Sequence, residues 1–127
     1  MPPGRVEQLL STAVDSVEQC EILVMLFQAR DRWWTAKDAA YELYLAESPT
    51  ARDLEVLATR GLLEVRIAND VLYRVAPATP EMALAVSELA EAYRSNRVDI
   101  LSQIVRRKGR ALQHFADAFN FRKGRRS

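Results

Sequence analysis

The chain has 127 residues, of which 49% are hydrophobic and 28% are charged, and its formal net charge is +1. This predicts one compact domain with an extension, whose core needs neither disulfide bonds nor a metal ion. The single cysteine, Cys20, excludes an intramolecular disulfide. Because it lies in an apolar helical segment, we expect a buried structural thiol rather than a redox sensor.

Membrane insertion and secretion are not expected. The longest apolar runs, such as residues 22–27, are too short to span a bilayer. Residues 1–7 lack the apolar segment of a signal peptide. We therefore expect a cytoplasmic protein without a membrane partner.

The small net charge conceals an uneven distribution along the chain. Residues 1–79 contain eight Lys and Arg against twelve Asp and Glu, a net charge of −4. Residues 80–127 contain ten against five, a net charge of +5. The cationic part of the protein is therefore the C-terminal segment, which matters for binding to nucleic acids.

Two amphipathic helices are predicted at the start of the chain. Apolar residues at helical spacing predict the first from about Arg5 to Ala13. Asp15 or Ser16 is a suitable N-cap for the second, which we expect to continue to about Ala29.

A second pair of helices follows a short β-prone segment at Trp33–Trp34. Thr35 begins a pattern similar to a capping box, which predicts a helix to about Tyr44. Ser48–Pro49 supplies an N-cap serine and a proline at the first helical position of the next helix. That helix is expected to end at Gly61, which tolerates the left-handed conformation.

Directly after this helix the apolar periodicity changes to that of a strand. Leu63, Val65 and Ile67 alternate with charged residues, and Asn69–Asp70 is a turn signal. Residues 72–75 return as a second strand, so a short β-hairpin is predicted.

The chain from Glu81 to about Lys108 is predicted to be one long helix. Its heptad-like apolar spacing is interrupted near Asn96 by polar residues, which either set the register of a helix pair or mark a bend. A helix of about 40 Å is longer than a small core can cover, so we expect it to pair in a two-fold homodimer. The predicted dimerisation residues are Met82, Val86, Leu89, Tyr93, Ile100 and Ile104.

A short amphipathic helix at residues 112–119 and a basic segment at residues 122–126 are predicted beyond Gly109. The basic segment either contacts DNA or an acidic partner, or is a solvated chain end. The predicted organisation is one domain at residues 1–79, followed at residues 80–127 by the long helix, the short helix and the basic tail.

The order helix, helix, short strand, helix, helix and hairpin over residues 15–76 resembles the winged helix-turn-helix regulators of bacteria. Residues 54–65 (LEVLATRGLLEV) are similar to the end of a recognition helix entering the wing. PadR-like and MarR-like repressors combine such a core with a long helix and typically dimerise outside the core. The resemblance implies a mainly α fold with a small β-hairpin, and a homodimeric DNA-binding transcriptional regulator without a cofactor. It does not specify an effector ligand.

By this resemblance, the helix that starts at Ser48 would enter the major groove of double-stranded DNA. Arg52 is the candidate there that can make a bidentate contact to guanine. Two hairpin arginines would contact the duplex as a wing, and neighbouring residues would contact phosphate. The predicted DNA-binding residues are Lys37, Ser48, Thr50, Arg52, Arg60, Arg66 and Arg74.

Other interpretations remain for the acidic core and the aromatic residues. The net charge of residues 1–79 disfavours DNA, as do Asp53 and Glu55 unless they face away from it. The alternative is a winged-helix protein–protein interaction module that does not bind DNA. The tryptophans at Trp33–Trp34 are expected to pack, one in the core and one at a dimer or helix junction. A ligand pocket that they form with Tyr41 or Tyr44 is the less favoured interpretation.

Enzyme and metal chemistry are not expected. The four glycines are dispersed and form no phosphate-binding loop, and no acidic cluster or Ser–His–Asp arrangement indicates catalysis. His114 and Asp117 share a predicted helical face, but without a second histidine they do not predict a zinc site.

Overall fold

In the computed structural model of the chain, residues 4–109 are described. Helices and one antiparallel hairpin in this range confirm the predicted mainly α fold with a small β-hairpin. The elements in chain order are α1 (Arg5–Thr12), α2 (Val17–Gln28), α3 (Ala36–Leu43), α4 (Glu47–Thr59), β1 (Leu63–Ile67), β2 (Val71–Val75), α5 (Pro80–Ser95) and α6, whose described part covers residues 97–109.

Side-chain hydroxyls cap the first turns of three helices. The Ser16 Oγ accepts a hydrogen bond from the Gln19 N–H at 3.1 Å, and the Thr35 Oγ1 accepts one from the Asp38 N–H at 3.0 Å. Thr79 caps α5 in the same way. Because the first N–H groups of a helix have no helical acceptor, these hydroxyls determine where the helices begin. Of the two residues predicted as alternative caps of α2, Ser16 is the cap, and the cap predicted at Thr35 is confirmed.

Helix α4 begins earlier than the sequence predicts. Its N-cap is Ala46, which makes no side-chain hydrogen bond, and Glu47 is the first helical residue. Ser48 and Pro49 therefore lie inside the first turn, where a proline still costs no helical hydrogen bond. The Glu47 carboxylate is also stabilised near the positive end of the helix dipole, which favours the earlier start.

The hairpin pairs β1 with β2 in a register that opposes Leu63 and Val75, and the chain turns at residues 68–70 as predicted. Trp34 adds one further bridge beside β2. Its N–H donates to the Tyr73 carbonyl and its carbonyl accepts from the Tyr73 N–H, each at 2.8 Å. The segment before α3 is thus hydrogen-bonded to the hairpin.

Gly61 connects α4 to β1 with a φ of +83°, the left-handed conformation predicted for it. A Cβ at this position would also lie 3.4 Å from the Cβ of Ala78. That distance is an ordinary van der Waals contact, so the positive φ rather than a lack of space favours glycine at the end of α4.

Apolar side chains from every described helix and both strands form one core around α2. Cys20, Ile22 and Leu26 of α2 are completely buried. Burial raises the pKa of the Cys20 thiol from its ordinary 9.0 to about 12, and the neighbouring Glu21 carboxylate adds to the shift. Cys20 is buried as the sequence predicts.

The prediction of one long helix after the hairpin is wrong. Helix α5 ends at Ser95, and α6 starts at residue 97. Between them, Asn96 has φ −151° and ψ 63°, outside the helical region. Of the two interpretations of the polar interruption, the bend is the observed one.

The bend changes the role of the predicted dimerisation seam. Because α5 and α6 are separate helices, both turn the residues of the predicted seam towards the core of their own subunit. Four of the six predicted residues are at most 3% exposed, and the other two pack against the same core. This surface is therefore not available for pairing. The four are Val86, Leu89, Ile100 and Ile104, and the two are Met82 and Tyr93.

A polar cluster joins three helices across the bend. The Glu21 Oε2 accepts hydrogen bonds from the Tyr93 hydroxyl at 3.1 Å and from the Arg97 Nη2 at 3.2 Å. Glu21 belongs to α2, Tyr93 to the end of α5 and Arg97 to the start of α6. The cluster therefore fixes α2 to both sides of the bend.

The predicted helix at residues 112–119, the basic segment at residues 122–126 and the pair of His114 and Asp117 lie outside the described residues.

Candidate nucleic-acid interface

Helix α4 presents one face to the core and the opposite face to solvent. Leu54 and Leu57 are completely buried, whereas Ser48, Arg52 and Glu55 are exposed. Helices α2 and α3 pack against the inner face. The pair α3–α4 is the helix-turn-helix, and we refer to the exposed residues Ser48, Arg52 and Glu55 as the reading face.

Arg52 lies on the reading face beside Ser48. Its Nη1 donates a hydrogen bond to the Ser48 Oγ at 3.3 Å. Within residues 4–109 it forms no salt bridge. A guanidinium held by one hydroxyl on the surface retains the donors that a bidentate contact to a base or phosphate needs. The structure thus places two predicted DNA-binding residues side by side.

The prediction of a DNA contact at Thr50 is wrong. Thr50 is 1% exposed, and its Oγ1 donates a hydrogen bond to the Ala46 carbonyl at 2.8 Å. Thr50 precedes the buried Leu54 and Leu57 by four and seven residues, so its side chain lies on the inner face of α4 rather than on the reading face. Its hydroxyl satisfies the backbone of the first turn instead.

Asp53 and Glu55, the two carboxylates that disfavour DNA binding, differ in position. The Asp53 Oδ1 accepts a hydrogen bond from the Gln19 Nε2 at 3.2 Å, so Asp53 is directed towards α2. Glu55 is exposed on the reading face. Burial raises the pKa of Tyr73, and the nearby Glu55 charge raises it further. Of the two, Glu55 is the one that would repel a phosphate at this surface.

Arg60, a predicted phosphate contact, is bound within the subunit. Its Nη1 donates to the Ala13 carbonyl at 2.9 Å, and its Nη2 donates to the Asp15 Oδ2 at 2.6 Å. The side chain is 30% exposed. Arg60 therefore connects the end of α4 to the segment between α1 and α2.

The two predicted wing arginines have different environments. The Arg74 Nη2 donates to the Glu64 Oε2 at 3.0 Å, and its guanidinium carbon lies 4.5 Å from the centre of the Trp33 ring. Arg66 is exposed, lies 5.9 Å from the same ring, and forms no salt bridge in the described part of the chain. Arg66 is therefore the more available of the two for an external anion.

The two tryptophans lie on opposite faces of the small sheet, because successive residues of an extended segment alternate. Trp34, which bridges to Tyr73, is 4% exposed in the core. Its Nε1 has no hydrogen-bond partner among the described residues. Trp33 lies on the outer face with Arg74. One ring is therefore in the core as predicted, whereas the other lies against the wing and not at a helix junction.

Lys37 completes the set of predicted contacts. It is exposed on α3, and no carboxylate of residues 4–109 forms a salt bridge with it. Lys37, Arg52 and Arg66 thus place one available cation on each of α3, α4 and β1.

Two exposed tyrosines at the end of α3 are missing from the predicted contacts. Tyr41 is 81% exposed and Tyr44 is 96% exposed. Side chains this exposed do not enclose a pocket with the buried Trp34, so the aromatic pocket considered from the sequence does not form around that ring. Spacing identifies Tyr41, which lies four residues after Lys37 on the polar face of α3. Tyr44 is the residue that ends the helix, and its exposure has no such signal.

Other site types find no support in the described region. No helix within residues 4–109 is long and apolar enough to cross a membrane. In the same range, no group of three or more His, Cys, Asp or Glu is arranged to hold a metal ion.

No protein-family model and no curated protein sequence matches the chain. Among solved structures, the chain is similar to reduced HlyU from Vibrio cholerae, with 21% identity and a TM-score of 0.53 over 71% of this chain and 88% of HlyU. It is also similar to the transcriptional regulator MosR from M. tuberculosis, with 18% identity and a TM-score of 0.53 over 89% of this chain and 84% of MosR. Both have winged-helix folds, so the predicted winged helix-turn-helix fold is confirmed.

Proposed function

We propose that this chain is a homodimeric transcriptional regulator that binds double-stranded DNA, with α4 as recognition helix and the β1–β2 hairpin as wing. The observation that carries the proposal is the position of Lys37, Arg52 and Arg66. Each is exposed on a different element of the winged helix, and none is neutralised by a carboxylate of the described residues. In contrast, Arg60 and Arg74 are paired with Asp15 and Glu64.

The proposed contacts follow from the chemistry of these side chains. Arg52 would donate two hydrogen bonds to a guanine edge in the major groove, and Ser48 would donate to a base or phosphate. Lys37, on the helix that crosses the backbone, would contact phosphate. Arg66 would contact the duplex from the wing.

The fold supports this assignment as an analogy. MosR, which shares the fold, is a transcriptional regulator. A fold is compatible with many functions, so the available cations rather than the similarity carry the argument.

The proposal is tested by selecting duplexes from a random pool at low salt with the full chain. We expect a pseudo-palindromic site whose half-sites are one helical turn, about 34 Å, apart. Arg52→Ala should reduce discrimination at one base pair by about tenfold. Arg94→Ala, which removes an equal charge from α5, is the matched control and should leave discrimination unchanged. Failure of the wild-type chain to enrich any duplex would reject the function.

For the homodimer, we propose pairing through the outer face of α6, which replaces the seam predicted from the sequence. Val98 is 75% exposed and Val105 is 58% exposed, on the side opposite the buried Ile100 and Ile104. Between the two valines, Leu101 is half-buried. We refer to Val98, Leu101 and Val105 as the α6 stripe.

The α6 stripe suits a second copy of the same helix in antiparallel orientation. A two-fold axis near Leu101 would place Val98 against Val105 of the partner and Val105 against the partner's Val98. Asp99 and Arg106 are seven residues apart and lie on one flank of the stripe. Reversal would bring each next to its opposite charge on the other copy, which favours the self-association of this face.

Sedimentation of the full chain tests this interface. The wild-type chain should sediment as a dimer at tens of micromolar, and the double variant Val98→Asp with Val105→Asp should sediment as a monomer. Ile67→Asp, which places the same charge on an exposed apolar residue of the wing, should remain dimeric. A monomeric wild-type chain, as expected if residues 110–127 of the same chain cover the stripe, contradicts the proposed pairing.

One observation favours the second candidate function, a protein–protein interaction module. Val65, Ile67 and Val71 are 45%, 80% and 38% exposed on the inner face of the hairpin. Glu55 lies across the cleft from Val65 and Val71. An apolar tip beside a carboxylate fits a protein segment with apolar and basic residues better than a phosphate backbone.

The two functions are separated by variants of the wing. Ile67→Ser should weaken a protein complex and leave duplex binding nearly unchanged, whereas Arg66→Ala should do the opposite. A partner protein lost on Ile67→Ser, together with no enrichment of duplexes by the wild-type chain, would establish the second function in place of the first.

A further inference from the structure

Tyr44 occupies a backbone conformation that tyrosine rarely adopts. Its φ is 56° and its ψ is 41°, and it is the non-glycine residue with positive φ within residues 4–109. The position ends α3: the Tyr44 N–H donates to the carbonyls of Ala40 and Tyr41, and the Leu45 N–H donates to the Ala40 carbonyl at 2.8 Å. This left-handed helix end is one that glycine or asparagine ordinarily supplies.

The side chain of Tyr44 makes the left-handed conformation unfavourable and does not offset this cost by packing. It is 96% exposed, so it buries almost no apolar surface in return for the steric cost of a Cβ at positive φ. A glycine here would give a more stable helix end. An unfavourable conformation kept by a residue without packing contacts is the type of local strain that accompanies binding sites.

A second exposed ring lies on the last turn of α3. Tyr41, three residues before Tyr44, is 81% exposed, and Lys37 precedes it by four residues on the same helical face. Tyr44 follows at the C-terminal end of α3, from which the chain continues into Glu47 and Ser48 at the start of α4.

We infer that Tyr41 and Tyr44 bind the sugar–phosphate backbone of the duplex beside the groove that α4 enters. The inference rests on the proposed function and adds two uncharged contacts to it. In a helix-turn-helix, the first helix crosses the backbone, and tyrosine hydroxyls are among the groups that donate to phosphate.

The charges at this end of α3 favour a hydroxyl contact over a purely ionic one. Glu42 and Glu47 lie close in sequence to the tyrosines and oppose Lys37 and Arg52, so attraction of phosphate by net charge is weak here. A phenol donates a hydrogen bond to phosphate without a positive charge, and its ring packs on the deoxyribose. The two tyrosines thus supply affinity where the acidic residues limit the cationic contribution.

The test compares thermal stability with duplex affinity for Tyr44→Gly in the full chain, using the duplex selected with the wild-type chain. We expect the melting temperature to rise by about 4 °C and duplex affinity to fall by about tenfold. Because no charge is removed, the salt dependence of binding should remain that of the wild-type chain. Lys37→Ala is the matched control: it should leave the melting temperature unchanged and make the salt dependence less steep.

Phenylalanine variants locate the contact on the hydroxyl. The double variant Tyr41→Phe with Tyr44→Phe keeps both rings and should bind the duplex more weakly than wild type, with unchanged melting temperature. Wild-type affinity in Tyr44→Gly, while Arg52→Ala still weakens binding, would overturn the inference and leave the proposed function intact. A lower melting temperature for Tyr44→Gly would overturn it as well, because Tyr44 would then be a stabilising residue. Absence of wild-type duplex binding would overturn both.

Discussion

Glu64 lies directly opposite Arg74 in the hairpin, and its Oε2 accepts a hydrogen bond from the Arg74 Nη2 at 3.0 Å. Since Arg66 has no such partner in the described chain, the two arginines of the wing are chemically unequal although both belong to the same sheet face. The wing has one arginine on each strand, but only Arg66 is an available cation.

This inequality predicts different effects of two alanine substitutions. Arg66→Ala should reduce duplex affinity by about fivefold or more, because it removes a contact to phosphate. Arg74→Ala should reduce affinity by less than Arg66→Ala does, since its charge is already neutralised by Glu64. Fluorescence anisotropy with one labelled duplex measures both. Equal losses would show that the ion pair opens on binding.

Release of Arg74 from its ion pair with Glu64 should increase duplex affinity. Glu64→Gln keeps the size of the side chain but removes the negative charge, so Arg74 becomes available to the duplex. We expect affinity to increase by about threefold and the salt dependence to become steeper. The double variant Glu64→Gln with Arg74→Ala is the control and should lose this gain. An increase that persists in the double variant would mean that removal of the Glu64 charge alone raises the affinity. This result would contradict a contact between Arg74 and the duplex.

Arg60 is expected to affect stability rather than binding. Arg60→Ala removes hydrogen bonds to the Ala13 carbonyl and to Asp15, and leaves the carbonyl near the core without its partner. The free energy of unfolding should fall by about 1–2 kcal/mol, which urea denaturation measures. Arg94→Ala, which breaks an exposed pair with Glu91, should cost about 0.5 kcal/mol or less. If Arg60→Ala instead lowers duplex affinity without lowering stability, Arg60 contacts the DNA.

Cys20 should be inert in the folded protein. Its side chain is completely buried, and its pKa is raised from 9.0 to about 12, mainly by burial. Because the folded pKa lies above that of the unfolded chain, the neutral thiol favours folding below pH 9, and this contribution is lost as the pH rises from 9 towards about 12. A thiol reagent at neutral pH should therefore modify Cys20 only in denaturant.

The pH dependence has its own control. Cys20→Ala removes the titrating group, so its free energy of unfolding should decrease less steeply above pH 9 than that of the wild-type chain. Both curves also contain the raised pKa of Tyr93, which burial and the hydrogen bond to Glu21 shift to about 12. Rapid modification of native Cys20 at neutral pH would contradict this account.

Local signals predict the parts of the fold that short-range interactions determine. Ser16 and Thr35 cap their helices through hydroxyls three residues before the N–H groups that they accept, and Gly61 is favoured by its own φ. The hairpin is equally local, but its register is not. A two-residue turn at the predicted Asn69–Asp70 would place Glu64 opposite Val75, whereas the observed turn is centred on Asn69 and places Glu64 opposite Arg74.

Contacts between distant segments explain the incorrect predictions. The acceptor of Arg60 is the Ala13 carbonyl, 47 residues away, and no periodicity indicates such a contact. The bend at Asn96 similarly depends on the core that α5 and α6 share, so a heptad-like spacing is not sufficient to predict one straight helix. Thr50 is the exception: it precedes the buried Leu54 and Leu57 by four and seven residues, so helical periodicity could have predicted its burial.

The salt dependence of duplex binding tests the central claim most directly. It is measured on the full wild-type chain, on Lys37→Ala and Arg66→Ala, and on Arg94→Ala as control. In a dimer, each of the first two substitutions removes two phosphate-neutralising charges, so the slope of log K against log salt should become less negative by about 2, and Arg94→Ala should leave it unchanged. A wild-type chain that binds no duplex at low salt, or Lys37→Ala and Arg66→Ala variants with the wild-type slope, would contradict the account.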